Sequence, residues 1–407
     1  MKIGSYNITT FQQVLAQKLL NAVLKPHWIV FSTLLLSIFC WLLPDFLGLY
    51  KGFQDYEAID GIGVIFVFSW YFLFIFLTYI SFSLGKRFPK LRGTDTIVSV
   101  RTNKIYYAYS SLALFGFFYT VYVTLKVLGI SGFIYSIVSF TTNKIAYAIY
   151  QDYSVGIFSL RYVIIISFGW ALYRIVVLGK RNWIDLLNLV CFIFYIAFFG
   201  RRLQLICSIL IFIALANRHQ SLFSHIKLAR FYWLLLFGFI MLSVATLLRN
   251  YGSYANMGYS NPLTAILSNI VSYLAAPFQV SLGVGNNALD AFRGLEYRAY
   301  TDVDTTLTAN AAFSEMIVRD GLAALFKVNM WAVLFGFLAG WLSKNKDNYL
   351  YTGYPILLYA FAELWRIDLF SKGIFYTLLI VSTGVPLFYV LATLVLNSKT
   401  YKKLEPN

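Results

Sequence analysis

Charge is what this chain has least of. Only 12% of its 407 residues are Asp, Glu, Lys or Arg, while 59% are hydrophobic. A water-soluble chain of this length needs far more charge to cover its surface. Histidine is scarcer still, with His27, His219 and His225 the full complement. All three fall on the side assigned below to the cytoplasm, which leaves no outer-face histidine to act as base, nucleophile or zinc ligand. Cys40, Cys191 and Cys207 lie inside apolar runs with no metal-ligand spacing, so neither a disulfide framework nor a cysteine metal site is expected. Neither a P-loop nor a Gly-x-Ser-x-Gly is present, which argues against an ATP motor and a standard serine hydrolase.

What the chain does have is apolar runs, recurring from end to end. Each candidate is long enough, or nearly so, to cross roughly 30 Å of hydrocarbon as a helix. They fall at about 28–45, 62–84, 105–129, 157–178, 184–200, 203–217, 231–248, 322–342, 349–365 and 374–396. The fold class expected is therefore all-α: a polytopic integral membrane helix bundle of about ten transmembrane helices. Residues 1–407 form one transmembrane domain on this reading. The first run begins near Trp28, too late and too long for a cleavable signal, and reads as a signal anchor. Ahead of it, Phe11, Val14, Leu15, Leu19, Ala22 and Val23 recur at helical spacing, which predicts a cytoplasmic amphipathic N-terminus over 1–27 ended near Pro26.

The net charge of +16 is distributed as short clusters between apolar runs, not as a basic face interleaved with aromatics, so nucleic acid is not an expected partner. Lys and Arg in alternate connections number 19 on one side and 10 on the other. The richer side includes both termini and the basic tail 397–407, so both termini are expected in the cytoplasm. One connection is long: 249–321, a large outer loop. Within it Ile266 to Val284 is semi-apolar and is expected as a short helix in the interface.

Several residues break the apolar pattern. Arg201 and Arg202 occupy the tight turn Gly200-Arg201-Arg202-Leu203-Gln204, on the side where the orientation rule disfavours them. Snorkelling to headgroups explains them blandly; a guanidinium fork for phosphate or pyrophosphate explains them functionally. Arg249 opens the long loop, Arg298 and Arg319 follow within it, and Arg366-Ile367-Asp368 forms a short outer turn. Cations entering one face from different helix ends suit a site built between facing elements. Glu315 and Glu363 are candidate general bases, since burial raises a carboxylate pKa toward working pH. The alternative for Glu363 is a structural ion pair with Arg366 at i,i+3. Asp302-Val303-Asp304 spells a DxD, but the triplet is common by chance and a solvated loop pair is favoured, so no metal is assigned. Lys126 and Lys327 lie within apolar runs, where they line a polar cavity or snorkel. Gly336 and Gly340 form a GxxxG, expected to serve close helix packing.

Three stretches resemble the Wzy-type repeat-unit polymerases of bacterial O-antigen and capsule assembly. They are Phe199-Gly200-Arg201-Arg202-Leu203-Gln204-Leu205-Ile206, the run from Asn310 through Glu315 and Asp320-Gly321 into the Gly336/Gly340 span, and Leu364-Trp365-Arg366-Ile367-Asp368-Leu369. One departure is the spacing from Arg249 to Gly252, shorter than the RxxxG described for some members. The resemblance implies a glycosyltransferase of the bacterial inner membrane with no cofactor. Its substrate would be a polyprenyl-pyrophosphate-linked oligosaccharide, and its other contacts membrane lipids. Glu315, Arg201, Arg366 and Asp368 are the implied catalytic residues; Arg201, Arg202, Arg249, Arg298, Arg319 and Arg366 would hold pyrophosphate or glycan. It leaves open whether a chain-length regulator works alongside. The alternatives are a transporter or flippase of the same lipid-linked sugar, an O-antigen ligase and an acyltransferase. The ligase family relies on a histidine in its large outer loop, and 249–321 has none.

Overall fold

The structure is a computed structural model. It describes residues 4–53, 61–90, 98–139, 145, 149, 156–199, 203–218, 232–233, 236–241, 243–244, 258, 261–286, 303, 311–346 and 349–402. Among these the chain is all-helical, with one isolated antiparallel bridge, Phe53 to Val303, and no strand. The helices are α1 (Gly4–Val23), α2 (Pro26–Trp41), α3 (Gly61–Arg87), α4 (Val98–Val138), α5 (Val163–Val176), α6 (Trp183–Phe198) and α7 (Leu203–Ala216). They continue as α8 (Pro262–Asn286), α9 (Ala312–Asp320), α10 (Ala323–Lys344), α11 (Gly353–Glu363) and α12 (Gly373–Lys402).

Five stretches are long and apolar enough to cross a membrane: Gly61–Arg87, Lys104–Val138, Gly156–Val176, Pro262–Asn286 and Ala323–Lys344. The pair α1 and α2 makes six if counted as one span, though the two are bent by 98°. The other apolar runs of the ten read from hydropathy fold into shorter helices or, for most of 231–248, lie outside the described residues. The run at 349–365 is the clearest case. Its helix α11 is only 11 residues long, about 16 Å at 1.5 Å per residue, and every one of its residues is buried. The long helix at α4 is interrupted at Gly129, whose φ of 67° only glycine adopts readily.

The semi-apolar stretch in the long loop also differs from expectation. Instead of a short interfacial helix, α8 is a 25-residue helix two-thirds buried in its most apolar window. Polar groups on its face explain why. Gln279 accepts from Trp41 Nε1 at 2.7 Å, the Ser37 hydroxyl donates to the Leu274 carbonyl, and the Tyr50 N–H donates to Ser268. Such groups need protein partners, which α2 and the segment after it supply.

The bundle is organised by α3 and α10, which run side by side in the same direction. Gly85 and Gly340 sit where a Cβ would collide with the backbone carbonyls of Phe337 and Phe82. Gly336 is nearly as tight, with a Cβ 3.2 Å from that of Ser81. The GxxxG is thus a packing seam, and Gly85 on the partner helix completes it. The two ends of the bundle differ in charge. One gathers Lys25, Lys86, Lys344 and Lys346 and is called the basic end below. The other gathers acids and bases together, from Glu315 to Lys372. Gly340→Leu is expected to lower stability by about 3 kcal/mol, because the backbone opposite cannot yield. Gly132→Ala, which meets only Leu128 at 3.6 Å, should be neutral or stabilising. Thermal unfolding of the two variants in detergent compares them directly.

Candidate functional site

Helix α9 carries Glu315 in its first turn and Arg319 in its last, the arrangement that suits the helix dipole. It is held in place at both ends. The Ala312 N–H donates to the Leu364 carbonyl at 3.2 Å, tying α9 to the turn that follows α11. Gly321, at φ 62° and ψ −147°, a backbone conformation that favours glycine, ends the helix. Between the two, Phe313 inserts among Trp70, Tyr71 and Phe74 of α3, with ring centroids 4.4 to 5.4 Å away. The partner segment 364–372 is fixed by Phe370, which stacks on Phe335 of α10 and meets Phe361 and Phe375 edge-on.

These anchors bring eight charged side chains to one end of the bundle. Glu315 accepts from Lys372 Nζ at 2.9 Å. Arg319 grips Asp320 with two bonds, 3.1 and 3.0 Å, and Lys327 donates to the same carboxylate at 3.2 Å. These two cations hold Asp320 below the usual carboxylate range, the Arg319 bond contributing most. Arg366 donates twice to Glu363 Oε2, at 3.2 and 2.8 Å, and its guanidinium lies 5.5 Å from the Tyr273 ring of α8. Both members of that pair are almost wholly buried. The i,i+3 pairing is the structural alternative raised for Glu363 above, here removed from water.

Asp368 is the exception in the group. Its side chain is fully buried, and among the described residues neither carboxylate oxygen has a hydrogen-bond partner. The nearest cation is Arg319, 3.9 Å away. Burial pushes its pKa above the ordinary 3.8, and the negative charge of Glu315 adds to the rise. The Ser371 hydroxyl, Arg319 and Lys372 soften the shift without removing it. A buried carboxylate with no hydrogen bond is costly in a structural role and typical of a proton-handling one.

Of the residues singled out in the sequence, the fold brings together Glu315, Arg319, Arg366 and Asp368, joined by Glu363 and Lys327. Arg201, Arg202, Arg249 and Arg298 lie outside the described residues, as do Asp302 and Asp304 of the DxD. Gln204, two residues beyond Arg202, is buried at the start of α7 with its Oε1 unpartnered. Sequence reasoning did not give roles to Lys372, Asp320 or Tyr273. The first two are ordinary interfacial charges until the fold sets them beside Glu315 and Arg319, and Tyr273 sits in the stretch expected to lie apart. Among the described residues no group of His, Cys, Asp or Glu is placed to hold a metal ion.

No protein-family model, no curated protein and no solved structure matches this chain.

Breaking the Glu363–Arg366 pair from one side should be far more harmful than removing it whole. Arg366→Met is expected to cost about 3–5 kcal/mol by stranding a buried carboxylate, and adding Glu363→Gln should recover part of the loss. A double-mutant cycle on unfolding midpoints measures the difference.

Proposed function

We propose that this chain is a membrane glycosyltransferase that polymerises lipid-linked oligosaccharide repeat units at the outer face of the bacterial cytoplasmic membrane. On this reading it crosses the bilayer about ten times with both termini in the cytoplasm. The basic end faces inward, as the positive-inside rule requires, and the mixed-charge end outward. The Wzy-type resemblance supports the reaction class. The observation that carries it further is Asp368, buried without a hydrogen bond among the described residues, with Arg319 3.9 Å away.

The chemistry needs a base for the acceptor hydroxyl and fixed cations for a departing pyrophosphate. Asp368 is better suited to the first task than Glu315, whose Oε1 is already taken by Lys372. The hydroxyl proton passes to the Asp368 carboxylate while the hydroxyl oxygen bonds to the anomeric carbon of the donor glycan. The bond from that carbon to the pyrophosphate oxygen breaks, and its electron pair leaves with the carrier. Arg319, Lys327 and Lys372, with side chains 42%, 35% and 38% exposed, offer cations to the leaving group. Arg201, Arg202, Arg249 and Arg298 are proposed as further members of that set. Arg366, sealed against Glu363 and Tyr273, is assigned to holding the 366–372 turn in place, not to touching substrate.

The test is repeat-unit polymerisation by purified protein in liposomes, from polyprenyl-pyrophosphate-linked substrate and without nucleotide. The wild type should yield a ladder. Asp368→Asn should lower the rate by about a hundredfold or more, the usual worth of a positioned base, and Glu315→Gln by less. Arg201→Ala and Arg202→Ala should weaken use of the donor. Because only the ionised carboxylate accepts a proton, wild-type activity should fall as pH is lowered through the raised pKa of Asp368. That acid limb should sit above the ordinary 3.8 and be absent in Asp368→Asn. Movement of intact substrate between leaflets with no ladder would replace the enzyme by a transporter.

A further inference from the structure

The opposite end of the bundle gathers Lys25, Lys86 and Lys346 beside His27, with no carboxylate among them within the described residues. Lys25 lies in the bend between α1 and α2, His27 in the first turn of α2, Lys86 in the last turn of α3, and Lys346 just beyond α10. Lys25 and Lys86 both act electrostatically on His27, and Lys25 and Lys346 both act on Lys86. Three separate segments therefore converge on one small volume, with the His27 ring 5.8 Å and Lys86 Nζ 4.7 Å from the same Phe82 ring. Among the described residues none of these four side chains has an acidic partner. Lys86 sits only against the Phe82 ring, 4.7 Å from its centroid.

Like charges brought together by a fold repel one another, and the repulsion costs stability unless an anion sits among them. Two further features point to such an anion. His27 is more than nine-tenths buried, wedged against Tyr79 and Phe82, yet its Nδ1 has no hydrogen-bond partner. Helix α2, 16 residues long with Pro26 at its start, also directs its N-terminal amides and positive dipole end to this place.

The surroundings choose among anions. Helix α1 turns by 98° from α2, so where α2 runs across a bilayer α1 runs along its surface. The amides of α1 are used inward: Gln17 donates to Asn217 at 2.7 Å, and Asn217 donates to Asn21 at 2.8 Å. That clasp leaves Val14, Leu15, Leu19 and Val23 exposed on the other side of α1, with Trp28 and Phe31 exposed on α2. Apolar side chains bared beside a group of cations fit a lipid with an acyl body and an anionic head.

We infer that Lys25, His27, Lys86 and Lys346 form a binding site for the phosphate headgroup of an anionic phospholipid, whose acyl chains lie along the exposed faces of α1 and α2. The site is independent of the reaction at the other end. Lysines hold the headgroup as point charges, and His27 contributes a ring nitrogen to a phosphate oxygen.

Native mass spectrometry of the purified full chain tests it, with phosphatidylglycerol, phosphatidylcholine and inorganic phosphate as probes. Phosphatidylglycerol should bind well above phosphatidylcholine and weaken as salt is raised. Lys25→Gln/Lys86→Gln/Lys346→Gln should lose about a hundredfold in affinity, the scale of three lysines facing an anionic lipid surface. The single change at the exposed Lys346 should lose part of this without disturbing the fold. Lys180→Gln, which removes a cation outside the group, should bind as the wild type does. Equal binding of phosphatidylglycerol by the wild type and the triple variant would overturn the site. Binding of inorganic phosphate with no preference for phosphatidylglycerol over phosphatidylcholine would overturn the lipid assignment.

Discussion

Helices α3 and α10 touch backbone to backbone, and both ends of the molecule depend on that contact. Gly85, Gly336 and Gly340 remove the side chains that would hold the two helices apart. With no hydrophobic drive between helices in lipid, close van der Waals approach is what binds them. At one end the seam sets the α3 aromatics Trp70, Tyr71 and Phe74 to receive Phe313, and so positions α9 with Glu315 and Arg319. At the other it carries Lys86 and Lys346 to the same place.

Charge in an apolar bundle has only a few stable arrangements, and this chain uses three of them. Glu363 and Arg366 are buried as a hydrogen-bonded pair. Arg319, Asp320 and Lys327 form a half-exposed triad in which each charge answers another. Arg174 and Asp185 make a second fully buried pair between α5 and α6, with Arg174 4.5 Å from the Tyr106 ring and Asp185 capping α6. Against that background Asp368 stands out, because it is buried without a hydrogen bond. Lys25, Lys86 and Lys346 stand out for the opposite reason, being cations with no acidic partner among the described residues.

Much of this was legible in residue order. Period, length and composition set the helices, and the starts of α3, α6, α7, α10 and α12 fall within a residue or two of where the apolar runs begin. The i,i+3 spacing of Glu363 and Arg366 and the four-residue spacing of Gly336 and Gly340 announce contacts within and between helices. Those patterns are local, and local geometry is enough to read them. Hydropathy could not separate a run that spans a bilayer from one that is enclosed by its neighbours. α11 and α8 were misjudged for that reason: one is shorter than its run, the other longer and more deeply buried.

By itself, then, the sequence determined that the chain is helical, belongs in a membrane and segregates its basic residues toward one side. These are properties of composition and of period along one dimension. Only the tertiary structure decided which charges are satisfied. Glu315 and Asp368 look alike as carboxylates near helix ends, 53 residues apart. Glu315 accepts a hydrogen bond from Lys372 while Asp368 has only Arg319 at 3.9 Å, because a pairing between distant segments depends on how helices pack and not on spacing. The same reason hid the lysine group, whose three members lie on the α1–α2 bend, the end of α3 and the segment after α10, and meet only when those elements pack together.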